Sequence, residues 1–314
     1  MSGSDGNRPT NIFGVDVETA PPAELLRRIL AYADRGEHRR VAYVNAHVLN
    51  QSSSDPALRR ALQRSDLIYC DGYGVRLAAK AIGLDVPHRM TGADWIWGLA
   101  ALCEATQRSL YLLGSDPGAS QEAAACLRRW YPRLDVRGTH HGYFEIGTPH
   151  SERVIEHIAR QKPDVLLVGM GTPLQELWVD NYFDRLDARV VWTVGALFDY
   201  ISGRVPRAPH WMSDHGLEWI FRLAIEPRRM WRRYLLGNPV FLWRVWKQRS
   251  GAALPEAAPA PTGNGTSYNG DGGPAPVVPL ASARVRGARK RALARVYGTR
   301  LREERPAAQR QAGP

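Results

Sequence analysis

Five times along this chain a short apolar run ends in small or polar residues and gives way to a helical pattern. The runs are "RRVAYVNAH", "DLIYCDGYG", "SLYLLGSDPG", "KPDVLLVGMGTP" and "ARVVWTVGAL". Between them, stretches such as "SQEAAACLRRWY" and "PLQELWVDNYFDRL" space their apolar residues as one face of a helix requires. Strands separated by helices cannot join as tight hairpins, so the pattern predicts βα units around a mostly parallel sheet. The runs are apolar at successive positions, which calls for cover on both faces of that sheet. No internal repeat is visible.

The expected fold is therefore α/β, a Rossmann-like, mostly parallel sheet core. The chain beyond that core has a different character. Residues 208–249 hold five of the ten Trp of the chain, and residues 215–249 carry eight Arg or Lys against two Glu. From 251 to 280 there are six Pro and six Gly in thirty positions, too little apolar content to build a core. Residues 281–314 carry ten basic and two acidic side chains. The expected organisation is an unstructured 1–11, a core at 12–207, a helical basic and aromatic appendage at 208–249, and a linker with a disordered basic tail at 250–314. The formal charge of +11 sits in the two C-terminal blocks, while the body is slightly acidic. Basic blocks of this kind fit a polyanion: nucleic acid, an anionic membrane surface, or phosphates.

The three cysteines, Cys70, Cys103 and Cys126, form no CxxC pair, so neither a disulfide framework nor a zinc site is expected. The start lacks a basic n-region followed by an apolar h-region, and no window reaches about 18 apolar residues. The chain reads as cytoplasmic.

In open α/β sheets ligands bind beyond the carboxyl ends of the strands. The residues there are Asn45 and His47, Asp71 and Gly72, Gly114 and Ser115, Gly169 to Gln175, and Gly195. Asp71 is the one carboxylate in that set placed to act on a substrate. Its position equally allows it to cap the following helix. In "VGMGTPLQE", Gly169 and Gly171 free the backbone, and a helix starting near Pro173 or Leu174 would offer N–H groups to an anion. The third glycine of GxGxxG is missing and no GK[ST] occurs, which argues against a redox dinucleotide and a Walker loop. No two Asp stand two apart, so a DxD metal site is absent. His140 and His141 are adjacent, which on a strand sends them to opposite faces. No metal or cofactor is expected, and neutralising a phosphate leaving group falls to Arg side chains and helix dipoles. That draws attention to Arg89 in "PHRMTGADW".

These motifs, with "GYF", "VGALFDYISGRVPRAPHWM" and "GLEWIFRLAIEPRRMWRRY", occur in an order that resembles the WecG/TagA/CpsF family of bacterial glycosyltransferases over roughly residues 12–245. The resemblance implies transfer from a UDP-sugar to a saccharide on a polyprenyl diphosphate lipid, with inversion and without a metal. Donors of the N-acetylmannosamine, mannosaminuronic acid or glucose type are implied. It places the catalytic carboxylate on Asp71, its partner on Arg89, and substrate contacts on Asn45 and Gln175; Gly72, Gly169 and Gly171 join the expected contacts because a glycine backbone lets a substrate approach closely. Where the family usually has Thr, two positions before that Asn, this chain has Tyr43.

The chemistry fits the residues. Inverting transfer needs one base to take the acceptor proton, whereas a retaining double displacement needs a second carboxylate. The appendage also becomes legible. Trp prefers the membrane–water interface and Arg attracts anionic headgroups. "NPVFLWRVWKQR" puts Phe241, Leu242, Val245 and Trp246 near one helical face, as an in-plane amphipathic helix would. A face packed against a second subunit is the other reading. Arg222, Arg229 and Arg232 match Arg positions of the family appendage. At least one of the three is expected to contact the UDP diphosphate when the segment folds over the pocket at the membrane, with Arg228 and Arg233 as ordinary headgroup-binding neighbours. Two other classes compete: a nucleic-acid-binding protein, disfavoured because the basic residues lie outside the core, and a Rossmann-type oxidoreductase, disfavoured by the incomplete glycine fingerprint.

Overall fold

A computed structural model describes residues 9–84, 86 and 88–250. The expected linker and basic tail therefore lie, apart from Ser250, outside the described residues, as does most of the N-terminal segment. The described chain begins with an antiparallel hairpin, β1 (Thr10–Ile12) and β2 (Val15–Val17), two residues earlier than expected. Its turn uses Phe13 and Gly14 at φ 53° and 82°, the left-handed pair that a two-residue hairpin needs.

The main sheet contains β3 (Arg39–Val44), β4 (Leu67–Cys70), β5 (Leu110–Gly114), β6 (Val136–His140), β7 (Val165–Gly169) and β8 (Val190–Thr193). Their order is β4-β3-β8-β7-β5-β6, and every pairing is parallel. All five expected strands are present. The sixth, β6, is not legible in the sequence because in "VRGTH" only Val136 is buried. Gly138 breaks its apolar pattern for a packing reason: a Cβ there would sit 2.4 Å from the Tyr111 ring.

Helices cover both faces, as the doubly apolar strands require. Pro22–Asp34, Gly92–Thr106, Ala119–Trp130 and Leu197–Ile201 pack on one side around Trp95 and Trp192, whose rings stack at 4.0 Å. On the other side Ala46–Ser54, Pro56–Gln63 and Tyr73–Ala81 cover β3 and β4, and Pro149–Gln161 and Leu174–Tyr182 cover β5, β7 and β8.

The segment 208–249 is helical: His210–Asp214, Glu218–Ile225, Pro227–Trp231, a π-helical turn Arg232–Leu236, and Gly237–Arg249. Its last helix does not stand apart from the core. Phe241 and Val245 are 3% and 4% exposed, and the Phe241 ring meets Phe13 edge-on at 5.6 Å. Gln248 accepts from Phe13 N (3.2 Å) and donates to Asn11 O (3.2 Å). The four-residue apolar face expected at 241–246 is thus split. Phe241 and Val245 seal the hairpin, while Leu242 and Trp246 point outward, each 62% exposed. The spacing i, i+4 holds within each pair, and a one-residue offset turns the pairs about 100° apart. No helix among the described residues is long and apolar enough to cross a membrane.

Candidate functional site

The carboxyl ends of β3, β4 and β8, the turn after β7 and the C-terminal helices enclose a cavity of about 500 Å³. Asp71 lies on its wall because the apolar run of β4 stops at Cys70 and Asp71 N donates to Val44 O (2.8 Å), which ends the strand in register with β3. Helix Tyr73–Ala81 starts from Gly72, at φ 96°, with no side-chain cap. The capping alternative for Asp71 is therefore excluded: among the described residues no donor reaches its carboxylate.

The charges around Asp71 define its chemistry. Burial raises its pKa to about 6, helped by the like charge of Glu218 and opposed by Arg222, Arg233 and Arg89. A carboxylate in that range is ionised at neutral pH and still basic enough to take a proton. Glu218 was not singled out from sequence, and Arg233 was expected to be an ordinary headgroup-binding arginine. Both line the cavity, and burial, with the charge of Arg233, pulls His47 down to about 4, which leaves that imidazole neutral.

The cavity holds polar atoms that nothing among the described residues satisfies. Thr91 Oγ1, Tyr200 OH, Arg222 Nε and Arg233 Nε are buried without a hydrogen-bond partner, and all four residues line it. Arg222 lies over the Tyr200 ring at 5.5 Å and Arg233 over Tyr234 at 5.6 Å, and neither guanidinium has an ion pair among the described residues. Buried polar groups are ordinarily paired, so a cluster of unpaired donors marks where a polar, anionic ligand belongs. Arg229 and Arg232 also line the cavity but are exposed, Arg229 lying 3.4 Å from Glu226. Arg228 does not line it. The segment expected to fold over the pocket only at a membrane already forms its wall.

The remaining expected residues divide between wall and frame. Asn45 faces the cavity, but its Oδ1 accepts from His47 N (3.0 Å) and Val48 N (3.1 Å) to cap helix Ala46–Ser54, so only its NH₂ is left for a ligand. Tyr43 lines the floor with its hydroxyl against Gly195, where a Cβ would lie 2.5 Å away. Burial, with the charges of Glu176 and Asp71, pushes its phenol up to about 12 and keeps it protonated. Gly171 lines the cavity at φ 84°.

Gln175, Gly169, Gly72 and Arg89 are not among the residues lining the cavity. Gln175 is fully buried. Its Oε1 accepts from Gly171 N (3.3 Å) and Gly195 N (3.0 Å), and its Nε2 donates to Glu176 Oε1 (2.7 Å). The amide oxygen clamps the β7 and β8 turns together and the nitrogen is held by Glu176, so the side chain frames the cavity floor. Gly169 is a close-packing residue, since a Cβ would meet Gly195 O at 2.6 Å. Arg89 is set beside the end of β4 by Met90 N donating to Cys70 O (2.8 Å), and its Nη1 donates to Ser213 O (2.9 Å), tying the C-terminal helices to the site.

His140 and His141 are not on opposite faces. The strand ends at His140, and the next turn brings both rings to His150, with a ring nitrogen of each within 4.8 Å of the others. His140 Nδ1 lies 2.7 Å from His141 O, and burial lowers the pKa of both residues. These three imidazoles form the one set among the described residues with the donors to hold a transition metal, and they do not line the cavity.

The family model described as the glycosyl transferase WecG/TagA/CpsF family matches residues 10–254. Over 241 residues the chain is 25% identical to the N-acetylglucosaminyldiphosphoundecaprenol N-acetyl-beta-D-mannosaminyltransferase of Staphylococcus aureus strain MRSA252, which covers 76% of this chain and 92% of that protein. Proteins of the same name from strains NCTC 8325 / PS 47 and COL match over the same spans. The match runs from the first hairpin through the last C-terminal helix and so includes every residue around the cavity. By that match, the chain belongs to the WecG/TagA/CpsF family of glycosyl transferases.

Proposed function

We propose that the protein transfers an N-acetylhexosamine of the mannosamine type from a UDP-sugar to a saccharide carried on a polyprenyl diphosphate, with inversion, at a membrane surface. The observation that carries this reading is the pairing, in one cavity, of an unbonded carboxylate with unpaired, half-buried arginines. Asp71 takes the proton of the acceptor hydroxyl as its oxygen bonds to the anomeric carbon, and the bond from that carbon to the UDP oxygen breaks on the opposite side. Arg222 and Arg233, with Arg229 at the rim, stabilise the charge that grows on the UDP diphosphate. In this reading no metal is required for that work. Glu218 is a second carboxylate near Asp71, and its part is to keep Asp71 basic against the arginines.

The relatives' names support the lipid-linked acceptor and the mannosamine donor. Tyr43, at the cavity floor, is where donor choice would be set. Membrane contact is supported by Leu242, Trp243 and Trp246, which stand 62%, 45% and 62% exposed on the outward side of helix Gly237–Arg249.

The test is a screen of UDP-sugars with short-chain polyprenyl diphosphate N-acetylglucosamine, read by mass spectrometry of the lipid product. Transfer of one N-acetylhexosamine with release of UDP is expected. Absence of transfer from every donor, with the fold intact, overturns the reading. Sedimentation with anionic vesicles tests the membrane face, and a dimer that buries Trp246 would reassign it to subunit contact.

A further inference from the structure

A second hollow, about 410 Å³, adjoins the first between helix Ala46–Ser54 and helix Gly237–Arg249. Asn50, Arg232 and Gly237 line both. They form a saddle in which Asn50 Nδ2 donates to Gly237 O (2.7 Å), with Arg232 at the same junction. Among the described residues the Arg232 guanidinium makes no ion pair or side-chain hydrogen bond, resting only over the Trp231 ring at 5.3 Å.

The hollows differ in chemistry. The first is walled by charge. Beyond Arg232 the second presents Pro173, Leu236 and Val240, the last two 56% and 43% exposed, and on the facing helix Gln51, Ser54 and Asp55, whose Oδ1 caps the next helix by accepting from Ala57 N (2.9 Å) and Leu58 N (3.2 Å). Its other guanidinium, Arg244, is spent on Asn50 Oδ1 (3.0 Å), Asn50 O (2.5 Å) and Ser54 Oγ (2.9 Å). The uncommitted cation of this groove, among the described residues, is thus the one nearest the catalytic cavity. Leu236 closes the π-helical turn and Val240 lies one turn into the helix that follows. From Val240, Trp243 three residues on leads toward the side where Leu242 and Trp246 stand exposed.

We propose that this groove seats the first isoprene units of the acceptor lipid, with the lipid diphosphate on Arg232 and the saccharide in the charged cavity. The inference rests on the proposed function, in which the acceptor is a polyprenyl diphosphate. A nucleotide sugar has no use for these apolar side chains, and a plain hydrocarbon has none for an unpaired guanidinium at its head. A prenyl diphosphate uses both, in the order in which they occur between the outward face and Asp71.

Binding of farnesyl diphosphate and of inorganic pyrophosphate to the full chain, measured by titration calorimetry, tests this. Farnesyl diphosphate is expected to bind at least about tenfold more tightly than pyrophosphate, because its chain buries apolar area in the groove. Val240→Asp removes that margin and leaves pyrophosphate binding unchanged. Arg232→Ala weakens both probes, and Leu242→Asp, on the outward side of the same helix, changes neither. All three positions are exposed, and an unchanged thermal midpoint confirms the fold of each variant. The proposal is overturned if farnesyl diphosphate binds no better than pyrophosphate, or if Val240→Asp and Leu242→Asp act alike. If no donor gives sugar transfer while the Val240-dependent margin persists, the groove stands and the transferase reading falls. If transfer occurs without the margin, the transferase reading stands and the groove falls.

Discussion

Replacing Glu218 with Gln should move the acid limb of the pH–rate profile to lower pH. Asp71 titrates near pH 6 because burial and the Glu218 charge raise it, while Arg222, Arg233 and Arg89 hold it down. A base acts only when ionised. With a pKa of about 6, roughly nine tenths of Asp71 is ionised at pH 7 and about one tenth at pH 5, so kcat/KM falls about tenfold per pH unit below that point. Two unit charges about 10 Å apart at an effective dielectric of about 40 exchange about 0.8 kcal/mol, which corresponds to about 0.6 of a pH unit. Removing the Glu218 charge lowers the Asp71 pKa by about that much and leaves about threefold more ionised base at pH 5. Arg222→Gln removes a cation and moves the limb the other way, losing about half of the ionised fraction at pH 6. The assay is UDP release at subsaturating substrate from pH 5 to 8.5, each variant normalised to its own rate at pH 8. Normalisation separates the titration from any loss of binding. A limb that stays in place in both variants, or moves in the same direction in both, would falsify the assignment of Asp71 as base.

The same geometry sets other outcomes. Asp71→Asn keeps the shape and removes the proton acceptor, so turnover should fall by about 10²-fold or more, with donor affinity far less changed in equilibrium titration. Arg233→Ala should depress turnover in detergent as strongly as Arg222→Ala, whereas Arg228→Ala should act only in vesicle sedimentation; equal behaviour of Arg228 and Arg233 would reduce the segment to an anchor. Gln175→Leu strands Gly171 N, Gly195 N and a Glu176 oxygen, and should cost about 2–4 kcal/mol in denaturant unfolding. Phe241→Ala should cost about 3 kcal/mol or more by opening the contact with Phe13, while Trp246→Ala leaves stability within about 0.5 kcal/mol; comparable losses would place Trp246 in the core.

The βα alternation was readable from the chain alone, because the period of apolar residues selects strand or helix locally. So were the points where strands stop, and with them the position of Asp71, Asn45 and Gly171 at the rim of the sheet. The order of motifs carried the family. Strand β6 escaped because only Val136 of "VRGTH" is buried and the rest is small or polar, whereas β4, the opposite edge, is covered along its length and reads as apolar. Which polar side chains face inward depended on how distant segments pack. Gln175 and Gly171 look alike as parts of one glycine turn, yet the close approach of the β7 and β8 ends takes Gln175 for the frame. In the C-terminal segment the deciding features are breaks in the helix. Glu226 adopts φ −126° and ψ 60°, and the π-helical turn Arg232–Leu236 follows directly on Pro227–Trp231. Each break resets the direction in which later side chains point, so Arg222, Arg229 and Arg232 all line the cavity through the packing of three segments and not through their spacing on one helix. That is why Arg233 lines the cavity while Arg228, equally basic and only five residues earlier, does not.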